Sequence, residues 1–446
     1  MPTAYIPHTE QDIQEMLKTI GVSSVEDLLK EIPEDLRVKG ELNVPASYDE
    51  HRLLGRLFEL SRKNKNLLSD LVCFLGAGIY DRYIPASVGA IISRGEFLTA
   101  YTPYQPEFSQ GYLQTIYEFQ TMVAELYGMD IANASMYDGA TSMAEAAILA
   151  HGTNGRPNVA VSQAVHPHYR QVLETYAWSL GMKVVELPTN DGLTPDLSKL
   201  DEQTACVIIQ SPNFFGGIED LASVRQAADD CGAMMVIVSD PIANGVLPPP
   251  GEFGADIAVG EGQPLGIAMG FGGPALGLFA CKQEHVRRIP GRIVGRTNDH
   301  DGRTGYVMTL RTREQDIRRE KATSNICTNE ALMALSATVY LAAMGKNGMR
   351  TVAESTVRNT QYAIGAIEGA GLKVKFGNKV FGEFVVSLPR PAAEVRDAML
   401  GKGFLAGLPL GEFYPGMEND LLVAVTEIRS KEQIDRFAAV LAECAK

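Results

Sequence analysis

Cysteine is sparse in this 446-residue chain, and none of its six cysteines belongs to a CxxC pair. Cys73, Cys206, Cys231, Cys281, Cys327 and Cys444 are scattered, without the close spacing of a zinc site or of a secreted disulfide framework. A reducing cytosol fits that pattern. Basic charge is in deficit as well: 40 Lys and Arg against 54 Asp and Glu leave a net charge of −14. Such a field repels a polyanion, so no nucleic acid is expected as a partner. There is no run of about 20 uninterrupted apolar residues, so no membrane span is expected. The opening MPTAYIPHTEQDIQEML carries acids early and lacks both an apolar signal core and the Arg-rich character of a transit peptide. The chain is therefore expected to begin near Met1 and to stay soluble and cytoplasmic. GxxxxGK[ST] and GxSxG are absent, which removes P-loop and nucleophile-elbow chemistry.

What is present is an ordinary globular composition, 45% hydrophobic and 21% charged, at a length that suggests two domains. Residues 1–70 read as a helical arm. In TEQDIQEMLKTIG, Thr9 caps a helix whose Ile13, Met16, Leu17 and Ile20 share one face, and Gly21 stops it. Residues 71–330 read as a large α/β domain. NVAVSQ, KVVELP, ACVIIQ, MMVIVSD and ADIAVG are short Val/Ile/Ala runs separated by helical patterns, the mark of crossover units and a largely parallel sheet covered on both faces. ALGLFACK closes that series. Residues 331–446 read as a linking helix and a small C-terminal α+β domain.

Several stretches carry candidate chemistry. GEGQPLG (260–266) superficially suggests a dinucleotide fingerprint, but its glycine spacing is wrong and Pro264 stands where the helix should open. His166 and His168 lack a nearby third ligand, so no metal is expected there. Asp240 follows the run MMVIVS and lies just past the end of a buried strand, where open α/β sheets bind ligands; a loop cap before Pro241 explains it equally well. SMYDGATSMAEAA opens a helix at which Thr141 or Ser142, with free backbone N–H groups, could cradle an anion, although such helix starts are common.

FLGAGIYDRYIP (74–85), TAYTPYQPEFSQG (99–111), NASMYDGAT (133–141), HPHYR (166–170) and TREQDIRREKATSNICTN (312–329) together closely resemble the P-protein of the glycine cleavage system. The resemblance runs the length of the chain; Asp316 departs from it, since histidine is expected at that place. It implies the fold-type I architecture of pyridoxal phosphate enzymes, with a mostly parallel seven-stranded sheet in the large domain. It also implies a Schiff-base lysine some tens of residues after a strand-end aspartate that pairs with the pyridinium nitrogen. Yet between Lys199 and Lys282 there is no lysine, and the place where the resemblance puts the Schiff base is occupied by Gly262 and Gln263. Lys282 comes too late, and Lys321 sits in an arginine cluster.

The resemblance therefore implies one half of a split enzyme. A homologous subunit 2 would hold the pyridoxal phosphate, in an α2β2 assembly. Together the subunits would decarboxylate glycine and pass the aminomethyl group to the lipoyl arm of H-protein. The present chain would contribute from across the interface, with Tyr101, Thr102 and Tyr104 as the candidates for reaching the partner, although tyrosines also simply pack interfaces. Thr141, His166 and Asp240 would be a vestigial pocket. The arginines of TREQDIRRE would hold anions, dock H-protein or simply form surface ion pairs. The competing expectation is a scaffolding or regulatory pseudoenzyme that shapes no reaction.

Overall fold

The computed structural model describes residues 5–67, 69–194 and 196–446, and the chain divides into two compact units between Lys65 and Asn66. In the first unit, Thr9 and Asp12 form a capping box at the start of the helix Glu10–Ile20, and Gly21, at φ 89°, ends it in the left-handed conformation that glycine adopts without strain. Asp49 caps the helix Glu50–Ser61 in the same way, by accepting from Arg52 N.

Among the described residues, the second unit contains two main sheets and two two-stranded ones. The larger has seven strands: β1 (Ile131–Ala132), β2 (Asn158–Ser162), β3 (Lys183–Leu187), β4 (Thr204–Gln210), β5 (Met234–Val238), β6 (Ile257–Glu261) and β7 (Gly277–Cys281). Their order is β1-β7-β6-β5-β4-β2-β3. All run parallel except β7, which is antiparallel to both β1 and β6. This is the mostly parallel sheet the sequence pattern predicts, with one reversed strand that periodicity alone does not show.

Side chains alternate between two covered faces, which is why the middles of β2, β4 and β5 are apolar on both. Val159, Val161, Cys206, Ile208, Val236 and Val238 pack with Met143, Ala146, Ala147 and Ala150 of the helix Gly139–Asn154 and with Leu173 of the helix Pro167–Leu180. Ala160, Val207, Ile209, Met235 and Ile237 face the other way, onto Leu221, Val224 and Ala228 of the helix Leu221–Cys231. The helical stretch Ala331–Gly369 is two helices that meet at a kink at Gly345, whose φ of 57° and ψ of −177° are non-helical.

The smaller sheet is antiparallel: β8 (Lys373–Val374), β9 (Glu383–Ser387), β10 (Leu408–Pro409) and β11 (Asp420–Ala424), in the order β8-β9-β11-β10. The helices Ala392–Gly401 and Lys431–Cys444 contribute Val395, Met399, Phe437 and Leu441 to its core. A segment from far upstream completes that core. Val72–Cys73 pairs in parallel with Phe404–Leu405, and the Phe74 ring stacks on Phe437 at 3.9 Å between centroids and 18° between planes. Residues 75–85 thus leave the small sheet at a fixed point and cross to the large one.

The Phe74–Phe437 stack is fully buried, so Phe437→Ala should destabilise the chain by ~3–5 kcal/mol, with Phe437→Leu costing less. Denaturant-induced unfolding of the full chain checks this; a midpoint unmoved by the alanine would refute the role given to the stack.

Candidate functional site

Asp240 follows Ser239 at the carboxyl end of β5, next to the corresponding ends of β4 and β6. Its Oδ1 accepts from Ile242 N at 2.8 Å, the loop-cap role, while Oδ2 lies 3.7 Å from the guanidinium of Arg82. The loop-cap reading of this residue is thus met, and its other oxygen faces the chain's own Arg82. Burial raises the Asp240 pKa, and Arg82 opposes that rise. Arg82 is itself buried and donates to Glu427 Oε2 at 2.7 Å and Thr356 Oγ1 at 3.3 Å.

His166 caps the helix Pro167–Leu180. Its Nδ1 accepts from His168 N at 3.1 Å, so the ring proton belongs on Nε2, which donates to the Ala77 carbonyl at 2.9 Å. Neither ring nitrogen is left for a metal. Burial pushes its pKa down to about 4, and the ring stacks on Tyr169 at 4.9 Å. His168 lies edge-on to Phe413.

The expected anion cradle at 139–142 is already filled. The Thr141 hydroxyl donates to Asp138 Oδ2 and its N–H to Asp138 Oδ1, so both groups are already bonded within the helix start. The N–H of Gly139 donates to Glu261 Oε2 at 3.0 Å, and Glu261 Oε1 accepts from Gln263 N and Leu276 N, both at 3.0 Å. Of the N–H groups read as free, that of Gly139 thus goes to Glu261, that of Thr141 to the Asp138 carboxylate and that of Ser142 to the Asp138 carbonyl; burial pushes the Glu261 carboxyl up to about 7 against the pull of its three donors. Gly139 cannot be replaced easily, because an added Cβ would lie 2.3 Å from the Tyr169 hydroxyl.

Gln263 is buried two residues beyond β6. Its Oε1 accepts from Tyr80 N at 2.9 Å, and its Nε2 donates to the carbonyls of Tyr80 at 3.0 Å and Ile267 at 2.8 Å. Tyr80 in turn donates its hydroxyl to Glu383 Oε2 at 2.9 Å, while Ala77 N donates to Glu383 Oε1 at 2.7 Å. What remains between Tyr80, His166, Tyr169, Asp240, Glu261 and Pro264 is a cavity of ≈ 40 Å³. Larger grooves exist away from the strand ends, among them one of ≈ 450 Å³ beside Glu145 and Trp178. Lys282 pairs with Asp256 at 2.5 Å at the amino end of β6, the opposite edge of the sheet from Asp240.

The three interface candidates separate. Tyr101 is 93% exposed and Thr102 is exposed, whereas Tyr104 is only 7% exposed. Arg292 covers the Tyr104 ring at 4.1 Å and the Tyr104 hydroxyl donates to Asn329, which anchors to the Ala134 carbonyl at 3.0 Å and to Ser135 Oγ at 2.6 Å. In the arginine cluster, Asp316 pairs with Arg311 at 2.7 Å and Arg313 donates to the carbonyls of Ile289 and Gly291.

Sequence reasoning missed Glu261, Tyr80, Arg82, Glu383 and Glu427. The first sits inside GEGQPLG and the next two inside FLGAGIYDRYIP, so they were on view without a role. Glu383 and Glu427 lie about 300 residues or more from their partners, and nothing local marks them.

A family model described as "Glycine cleavage system P-protein" matches residues 3–441. The chain belongs to the glycine cleavage system P-protein family. Among its relatives, the "Probable glycine dehydrogenase (decarboxylating) subunit 1" of Geobacillus kaustophilus (strain HTA426) is 52% identical over 443 residues, 98% of each chain. The protein of the same description in Brevibacillus brevis is 51% identical over 99% of each. A crystal structure of glycine decarboxylase (P-protein) of the glycine cleavage system, in inhibitor-bound form, superposes with a TM-score of 0.91 at 44% identity, covering 99% of this chain and 100% of that one. A sphingosine-1-phosphate lyase of Burkholderia pseudomallei, 15% identical, shares the fold with a TM-score of 0.67 over 93% of this chain and 94% of that one. The architecture is that of fold-type I, and this P-protein chain is a subunit of an enzyme.

The buried carboxyl of Glu383 generates a pH prediction for this P-protein chain. Its pKa rises from the ordinary 4.5 to about 7, chiefly through burial. Between those values the folded chain holds a proton that the unfolded chain has lost, so this contribution to stability is full below 4.5 and disappears as pH rises through about 7. Glu383→Gln never ionises, so its melting temperature relative to the unsubstituted protein should rise between about pH 5 and about pH 8. Thermal unfolding across that range tests it, and parallel curves would contradict the assignment.

Proposed function

We infer that this chain is the subunit of glycine dehydrogenase (decarboxylating) that shapes the reaction site without holding its cofactor. Its partner is subunit 2, as a heterodimer within an α2β2 assembly. The complex releases carbon dioxide from glycine and transfers the aminomethyl group to the lipoyl arm of H-protein. Pyridoxal phosphate, bound by the partner subunit, supplies the electron sink for loss of the carboxylate.

One observation carries this reading: where relatives of this fold would hold the cofactor, the present chain offers Gln263 and a cavity of ≈ 40 Å³. Small-molecule sites are typically ~300–1,000 Å³. Glu261 occupies the N–H cradle at Gly139 and Arg82 occupies Asp240, so pyridoxal phosphate does not fit here. No step of the reaction is assigned to this pocket. The term "subunit 1" in the relatives' descriptions supports the existence of a second subunit.

Tyr101 and Thr102 are the chain's contribution to the shared site. They stand exposed on a segment stiffened by Pro103 and Pro106, and Tyr104 fastens that segment to Arg292 and Asn329. Their hydroxyls are suited to orienting a carboxylate or the lipoyl group in the partner's site.

In the reconstituted complex, Tyr101→Phe should lower turnover by ~10-fold or more through loss of one hydroxyl contact. Assembly, followed by mass measurement, should be unchanged. Full turnover in this variant would favour the scaffolding alternative, and glycine decarboxylation by the chain alone would overturn the proposal outright.

A further inference from the structure

The residues that fill the slot come from four separated parts of the chain, and each makes a specific bond there. Glu261 accepts three backbone N–H groups, from the first turn of the helix Gly139–Asn154, from Gln263 and from Leu276. The Gln263 amide brackets Tyr80 on both sides, accepting its N–H and donating to its carbonyl. Glu383, from β9 of the small sheet, holds the next links of the same segment, the Ala77 N–H and the Tyr80 hydroxyl. Farther along, Asp81 is held by Arg429 at 2.6 Å and its carbonyl by Thr426 Oγ1 at 2.7 Å. Residues 77–82 are thereby pinned over the carboxyl ends of the strands by groups from both sheets. The segment is also locally constrained: Gly76 has no room for a Cβ, which would lie 2.5 Å from both Ala424 Cβ and Glu383 Oε1.

We propose that the slot is a self-filled clamp, in which Glu261 stands in for a bound anion and Gln263 tethers residues 77–82 across the space a cofactor would need. The missing lysine is then only one of several barriers to cofactor binding. The same groups serve instead to fasten the small sheet to the large one. Gln263 is a positioning residue in this arrangement, acting on Tyr80. The inference rests on the reading that this chain does not hold the cofactor, but it can fail while that reading stands.

The test restores the lysine. The full chain, unsubstituted and as Gln263→Lys, is incubated with pyridoxal phosphate and reduced with borohydride. A lysine amine condenses with the aldehyde by losing water, and hydride addition leaves a stable secondary amine; peptide mapping then locates the label. Surface lysines should label equally in both proteins while the introduced amine at position 263 stays unlabelled. A stoichiometric label at position 263 of the variant would overturn the clamp while leaving dependence on subunit 2 intact. Decarboxylation by the unsubstituted chain alone would overturn the function reading and, with it, the clamp.

A second measurement needs no buried lysine. Amide hydrogen exchange on the unsubstituted chain should show Ala77 and Tyr80 protected. Gln263→Ala should speed exchange at Tyr80 by up to about tenfold while β5 is unaffected. Rapid exchange at Tyr80 in the unsubstituted chain would also refute the proposal.

Discussion

A guanidinium taken out of water must find negative partners, and Arg82 is the group around which this molecule is organised. Its side chain is 3% exposed. Burial alone would lower its pKa, yet the carboxylates of Glu427 and Asp240 together hold it above its ordinary value. One of those partners belongs to the end of the large sheet and the other follows the last strand of the small one. A buried pair of this kind adds little stability compared with apolar packing, but leaving one member unpaired is costly, so it selects the arrangement in which both sheets are in place. The segment carrying Arg82 is fixed at its start by the Phe74–Phe437 stack and along its length by Gln263 and Glu383.

The geometry that usually receives a ligand in an open α/β sheet is here turned inward. Helix N–H groups at Gly139, an aspartate at a strand end and an aromatic cluster around His166 are all present. Each is satisfied by another part of the same chain. Satisfied buried polar groups give rigidity and a unique arrangement. Rigidity suits the proposed presentation of Tyr101 and Thr102 to a partner subunit, because a loosely held backbone would spend the contact on ordering itself.

Much of this was legible in linear form. The runs NVAVSQ, ACVIIQ and MMVIVSD announce their strands because residues buried on both faces leave no polar alternation, and Thr9 and Gly21 mark helix ends through local hydrogen bonding and backbone freedom. Asp240 was visible for the same reason, as a lone acid after an apolar run. The reversal of β7 was not legible, because ALGLFACK has the same texture whichever way it runs. Tyr101 and Tyr104 differ only in what lies above them: Arg292 and Asn329 come from distant sequence and bury one while leaving the other in solvent.

The sequence by itself determined the strands, the caps, the acidic surface and the absence of lysine between Lys199 and Lys282, because each is a property of residue type or of short-range spacing. The family likeness was readable for the same reason, carried by motifs long enough to be specific. Only the tertiary structure decided that the pocket is closed. Closure depends on Glu261 meeting Gly139, Gln263 meeting Tyr80, and Glu383 meeting Ala77, contacts spanning 122, 183 and 306 residues. No local pattern encodes such pairings; they exist because folding brings two sheets and one crossing segment into the same small volume and leaves no buried polar group there a cheaper partner.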